Sequence, residues 1–295
     1  MDGILNVLKP PGMTSFDVVA YLRKLLKVKK IGHTGTLDPG AVGVLPVCIG
    51  KATKTIEYLT DKDKAYRAEL TLGIATDTQD SYGKVLKVCE VNLGREEIYN
   101  AVMSFVGSYN QIPPMFSAVK VEGKKLYELA REGITVERTP RNVTIHSIEI
   151  VDIKDNKVLF DTVCSKGTYI RTLCSDIGEK LGCGGHMSFL VRTKAGRFEL
   201  SNSLTLEEIY SFCEDNSLES RLSTIEEVFE DLERIDLSAV QAKKLINGAY
   251  IELKGENFKK GCILRTYDEK GKFIGIGEVL VIRENLMLKM KRQFG

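Results

Sequence analysis

Gly32-His33-Thr34-Gly35-Thr36-Leu37-Asp38-Pro39-Gly40-Ala41-Val42-Gly43-Val44-Leu45-Pro46 is the stretch of this 295-residue chain on which its reading turns. Four glycines between positions 32 and 43 imply backbone that approaches something closely or takes unusual dihedral angles. One carboxylate, Asp38, stands in the middle. Pro39 restricts Asp38 to extended or turn geometry, so the carboxylate rides on stiffened backbone. Stiffness serves chemistry in which one oxygen must meet a carbon in line. The plainer alternative is a turn in which Asp38 caps its own backbone. The stretch is too irregular for a helix, yet it ends in an apolar run, residues 42–49. That pattern is a structured loop feeding a core element.

Outward from the loop, Thr14 and Asp17 are spaced as a capping box. Val18, Val19, Leu22, Leu25 and Leu26 follow at helical spacing, with Arg23, Lys24 and Lys27 as its basic residues. Residues 66–74 alternate: Tyr66, Ala68, Leu70, Leu72 and Ile74 face one way, Arg67, Glu69 and Thr71 the other. Gly94 and Gly107 bracket a helix with Ile98, Ala101, Val102 and Phe105 on one face. Residues 157–165 alternate again. Residues 170–181 are predicted helical, with Gly182 as the stop. No regular βαβ rhythm appears, so the fold expected is α+β, a large, mainly antiparallel mixed sheet with flanking helices. Residues 201–233 read as helical and acidic. From about 237 a short helix (Ala239 to Ile246) precedes several short strands broken by Gly255, Gly271 and Asn285. This is the pattern of a small β-barrel, giving domains at 1–236 and 237–295.

The formal charge of +2 hides a split: +5 over residues 1–200, −9 over 201–236 and +6 over 237–295. Local fields act locally, so a near-neutral total is weak evidence against a polyanionic partner. Solvated basic surfaces are the plainer reading. No apolar run approaches the roughly 18 residues of a membrane span. The N-terminus lacks the pattern of a secretion signal. Seven cysteines without a CxxC pair read as reduced thiols, and the expected location is cytoplasmic. Gly50-Lys51-Ala52-Thr53 lacks the glycine spacing of a phosphate-binding loop. Cys183-Gly184-Gly185-His186 is half of a zinc pattern without a second half. Chemistry without metal or cofactor is the simpler expectation.

The loop GHTGTLDPGAVGVLP resembles the nucleophile loop of the TruB-type tRNA pseudouridine-55 synthases. Further blocks resemble that family in the same order: Leu8 to Ser15, Lys64-Ala65-Tyr66-Arg67-Ala68, Gln111 to Lys120, Gly123 to Tyr127, Cys164 to Leu173, and Gly182 to Arg192. The resemblance is strong over residues 4 to about 200 and looser beyond. Two departures are Val42, where the family commonly has a small hydroxyl residue, and Val191, where it often has a second basic one.

The resemblance implies a bacterial stand-alone enzyme that converts uridine 55 in the T loop of tRNA by base flipping, with a C-terminal PUA-like barrel. It puts the nucleophile at Asp38, the ring that stacks on the target and serves the C5 proton step at Tyr66, and the nucleophile's partner at Arg171. His33, Tyr169 and Leu190 become substrate contacts, and Lys9 a support of the site. An RNA-gripping thumb maps to about 120–141, with Lys120, Lys124, Lys125, Arg131, Arg138 and Arg141. Lys243, Lys244, Lys259 and Lys260 would face the acceptor stem, and the chain would act as a monomer. The isomerisation breaks N1–C1′ and forms C5–C1′ without redox change, so it needs no cofactor. Alternatives are a guide-RNA-dependent catalytic subunit and a tRNA-folding protein without chemistry. A glycosidase is disfavoured because no second carboxylate stands near Asp38 in sequence.

Overall fold

Alternation dictates the main sheet. In the computed structural model, which describes residues 1–121, 123–253 and 258–294, the strand Lys64–Leu72 buries Tyr66, Ala68, Leu70 and Leu72 and turns Arg67 outward. It lies mid-way across a nine-stranded sheet. From one edge the order is Gly3–Lys9, Val42–Ile49, Gly185–Ala195, Lys64–Leu72, Lys157–Cys164, Arg141–Lys154 and Gly107–Gln111. Ile31–His33 and Phe198–Glu199 attach beside this path. Every pairing is antiparallel except that of Val42–Ile49 with Gly185–Ala195. In that parallel junction Val42 stands opposite Val191, so the two departures from the family pattern face each other.

Helices complete two cores on the sheet. Arg95–Met103 and Ile170–Lys180 bring Ile98, Val102, Leu173 and Ile177 to Leu70 and Phe160. Ser15–Leu26 and Leu206–Glu214 bring Val18, Leu22 and Ile209 to Leu5, Leu45 and Val47. Each such side chain contributes about 1.5–3 kcal/mol by leaving water. The capping box of Thr14 and Asp17 is formed and fixes where the first helix begins.

Residues 201–233, expected to be helical, are so only in part. Only Leu206–Glu214 is α-helical; two 3-10 turns follow, Leu218–Arg221 and Glu226–Phe229. The reason is where the apolar residues must go. Ile209 and Leu218 join the core under the first helix, whereas Val228 and Phe229 join a different one, and Asn216 breaks the helix with a left-handed backbone (φ 55°).

The C-terminal strands form a five-stranded sheet in the order Glu233–Asp236, Ile263–Tyr267, Phe273–Ile282, Asn285–Gln293, Ile251–Glu252. Its two edges do not pair with each other among the described residues, so it is a curled half-barrel. Its first strand comes from ahead of residue 237. The expected break at Gly255 lies outside the described residues. The half-barrel docks on the main domain through rings: Phe229 meets Tyr58 edge-on at 5.1 Å and Phe294 at 5.4 Å, and Arg292 pairs with Glu57.

The helix Ile170–Lys180 is pressed against the strand Gly185–Ala195 at Gly178. A Cβ there would stand 2.2 Å from the Gly185 nitrogen and 2.3 Å from the Gly184 carbonyl carbon. Gly→Ala inside an exposed helix stabilises by about 1 kcal/mol. Here the obstacle is backbone, so overpacking wins. Gly178→Ala is expected to lower stability by about 1–3 kcal/mol in urea unfolding; an unchanged or raised midpoint would show that this close approach does not constrain the fold.

Candidate active site

The glycine-rich loop is tied down along its length. Thr34 N–H donates to Pro46 O (3.1 Å), Leu37 N–H to Ser15 Oγ (2.8 Å) and Gly12 N–H to Pro39 O (2.9 Å). Ala41 N–H closes a turn on Asp38 O (3.1 Å). From beneath, Arg192 donates to Val44 O (2.7 Å), Gly35 O (3.1 Å) and Thr36 O (3.5 Å). Gly43 is the one glycine of the four with a positive φ, +114°, and a Cβ there would meet the Arg192 carbonyl oxygen at 2.3 Å. The loop is irregular yet rigid, and its backbone uses Asp38 only through the carbonyl. The carboxylate is left for something else.

That something is Arg171, at the start of the helix Ile170–Lys180. Its Nε stands 2.9 Å from Asp38 Oδ2 and its Nη2 donates to Asp38 Oδ1 at 3.3 Å. The same guanidinium donates to Phe116 O (2.9 Å) and Thr78 O (3.2 Å) and lies 3.6 Å from Asp80 Oδ2. A rigid fork whose Nη1 and Nη2 are also held by carbonyls fixes the carboxylate in two dimensions. Arg171 is itself 5% exposed, whereas the Asp38 side chain keeps 35% exposure toward the cavity. Burial raises the Asp38 pKa; the Arg171 charge opposes that, while Asp80 adds to it. A cation near a helix N-terminus is disfavoured by the dipole, and here two carboxylates offset the cost.

Gln111 sets that helix start. Its Oε1 accepts from Tyr169 N–H (2.8 Å) and its Nε2 donates to Tyr169 O (3.0 Å). The backbone just before Arg171 is therefore held at two points.

Tyr66 reaches the cavity from the central strand, opposite Arg192 in the antiparallel pairing with Gly185–Ala195. Burial raises its pKa, and a hydrogen bond and charge from Arg192 pull the other way. Arg192 is 1% exposed and its guanidinium meets carbonyls and this phenol. Lys9 is fully buried, and its ammonium donates to Pro10 O (2.8 Å), Met13 O (2.5 Å) and Pro39 O (3.2 Å). It is a strut under the loop rather than an RNA contact, and burial lowers its pKa to about 8. His33 lies on the cavity wall with its pKa lowered by burial and by Arg192, so it presents a neutral ring; Gly35 N–H donates to its Nδ1 at 3.3 Å.

The cavity has a volume of about 1340 Å³. Asp38, Tyr66, Arg171, His33, Tyr169 and Leu190 all line it, as do Lys125, Arg131 and Arg141 from the thumb segment. Lys120 and Lys124, on a small hairpin, lie off this wall, as does Arg138, which donates to Pro113 O. Sequence reading passed over Asp80, Arg192 and Gln111. Arg192 and Gln111 belong to blocks already singled out, but nothing in spacing marks a residue as the partner of a distant backbone. Among the described residues no group of three or more His, Cys, Asp or Glu is placed to hold a metal. His186 is spent on Ile74 O at 2.9 Å and Cys183 on Gly184 O at 3.3 Å.

Comparison with known proteins converges on one family. The model of the TruB family pseudouridylate synthase N-terminal domain matches residues 23–170. Those of the tRNA pseudouridylate synthase B C-terminal domain and of the pseudouridine synthase II TruB C-terminus match 171–235 and 234–282. A tRNA pseudouridine synthase B of Alkaliphilus oremlandii is 54% identical over 248 residues, covering 84% of this chain and 82% of its own length. That of Clostridioides difficile is 46% identical over 301 residues, covering 100% of both. Among solved structures, an H/ACA RNP bound to a substrate RNA containing 2'-deoxyuridine superposes with a TM-score of 0.75 at 25% identity, over 99% of this chain and 85% of that one. With its fold, its loop and its carboxylate–guanidinium pair all in place, this chain belongs to the TruB family of pseudouridylate synthases.

Proposed function

We propose that the chain isomerises uridine to pseudouridine at position 55 in the T loop of tRNA, with Asp38 as the nucleophile. The observation that carries this reading is the two-point hold of Arg171 on a cavity-facing carboxylate. Attack at C1′ of the sugar and addition to C6 of the ring both need Asp38 ionised, and the guanidinium favours that form. Once C5–C1′ has formed, the C5 proton must leave, and Tyr66 is the group assigned to that step. A uridine in a folded RNA must first be extruded, at a cost of a few kcal/mol. Neutral His33, with Tyr169 and Leu190, receives the extruded region, and Lys125, Arg131 and Arg141 hold its phosphates. Lys120 and Lys124 then contact RNA outside the cavity.

In this reading residues 1–232 are the catalytic domain, with the thumb at about 120–141. The PUA-like domain begins at the strand Glu233–Asp236, ahead of the residue 237 expected from sequence, and its Lys243, Lys244, Lys259 and Lys260 meet the acceptor-stem side. The chain works as a cytoplasmic monomer without a guide RNA. The relatives at 54% and 46% identity, each a tRNA pseudouridine synthase B, favour stand-alone action over the guided assembly matched at 25%.

Asp38→Asn is expected to bind a T-arm hairpin as the wild type does while pseudouridine formation falls by about 10⁴-fold or more, the scale of a lost nucleophile. Turnover near that of the wild type would remove Asp38 from the chemistry. Wild-type protein should convert the isolated hairpin with no other RNA present; conversion only with an added guide would favour the ribonucleoprotein reading.

The sign of the pH dependence follows from the raised Asp38 pKa. The protonated acid cannot attack, so the rate falls as pH drops through that pKa, at a higher pH than the ordinary aspartate value of about 3.9. Arg171→Met removes the opposing charge, so the acid limb of single-turnover profiles should move further up. A limb that stays in place would mean that Arg171 does not govern the ionisation of Asp38.

A further inference from the structure

Three exposed aromatic residues line the cavity that holds Asp38: Phe16, Tyr82 and Phe189, at 64%, 80% and 46% exposure. Single apolar side chains on a surface are ordinary, but three rings around one carboxylate call for a partner. None of the three stacks on another ring among the described residues.

All three are mounted on backbone that the catalytic site already fixes. Phe16 follows Ser15, whose hydroxyl holds Leu37 of the nucleophile loop. Tyr82 N–H donates to Asp80 Oδ1 (3.0 Å), and the other oxygen of that carboxylate faces Arg171. The Tyr82 ring lies over Gly40, where a Cβ would meet it at 2.3 Å. Ser81 Oγ donates to Ser188 O (3.4 Å), which sets the Tyr82 loop beside the strand that carries Phe189.

One cation accompanies this set of rings, and two more flank a fourth ring of the same cavity, Tyr127. The Arg23 guanidinium sits 5.8 Å from the centre of the Phe16 ring. Lys125 and Arg131 both approach Tyr127, at 5.4 and 5.5 Å, on the same cavity wall. Ring faces interleaved with positive charge are the composition of a surface for single-stranded nucleic acid: bases stack on the rings and phosphates meet the cations. An apolar protein partner would gain little from the charges, and a duplex could not offer its base faces.

We propose that Phe16, Tyr82 and Phe189 form a stacking rim for the unpaired bases flanking the target uridine, with Tyr82 as its principal ring. The inference rests on the RNA-modifying reading above and adds to it the groups that hold the neighbours of the target. The rim touches flanking bases rather than the reacting atoms, so its effect falls on binding before it falls on the chemical step.

The test uses the full chain and a T-arm hairpin carrying a fluorescent adenine analogue next to the target uridine. Tyr82→Ala is expected to raise Kd and KM about tenfold, the scale of one lost base–aromatic stack, and to abolish the quenching of the analogue. Tyr82→Phe, which keeps the ring, should behave as the wild type in both readouts. Phe16→Ala and Phe189→Ala should each weaken binding by a smaller factor. The rim is overturned if the wild type converts the hairpin while all three alanine variants bind and quench as it does. If the wild type converts no uridine in the hairpin or in whole tRNA, the functional reading fails and the rim falls with it, so the two failures are told apart by wild-type turnover alone.

Discussion

The fork of Arg171 on Asp38 is the interaction on which the rest of the site depends. A carboxylate on a cavity wall loses hydration, and its charged form is then disfavoured. A guanidinium at 2.9 Å opposes that loss and aims both oxygens. The arrangement holds only if neither partner can drift. The helix bearing Arg171 is pinned by Gln111 at its start and by the glycine contact at Gly178 farther along. The loop bearing Asp38 is pinned by Ser15, Lys9 and Arg192. Two elements from opposite parts of the chain are thus brought to one hydrogen-bonding distance by contacts that are almost all to backbone.

The two buried cations under the loop set a second constraint. Lys9 and Arg192 satisfy loop carbonyls that would otherwise be orphaned in the interior. Neither meets a carboxylate directly, yet the positive charge of Lys9 adds to that of Arg171 in favouring the ionised Asp38. Irregular backbone near a reacting group is tolerated here because its polar groups are answered from beneath, while the face toward the cavity stays open for a ligand.

Much of this is legible in the amino-acid sequence. The alternation of Tyr66, Ala68, Leu70 and Leu72 placed a central strand, and the box of Thr14 and Asp17 placed a helix start. Asp38 stands out as the lone acid of a stiff loop, and the family resemblance marks Arg171 as its partner. The long strand Arg141–Lys154 is not legible, because register shifts between Ile145 and Ser147 and between Ile150 and Asp152 interrupt its alternation. Gly185–Ala195 carries two such shifts. The acidic stretch before residue 237 reads as helical, and the sequence does not reveal which core each of its apolar residues joins. Asp80 escaped notice for a related reason: its partner lies far along the chain, and the hairpin that delivers it carries no motif of its own.

In the proposed function this held carboxylate rearranges one uridine of a folded RNA. Mapping pseudouridine, nucleotide by nucleotide, in unmodified whole tRNA incubated with the purified chain tests it most directly. New pseudouridine is expected at uridine 55 alone. No conversion, or conversion scattered over uridines outside the T loop, would contradict it.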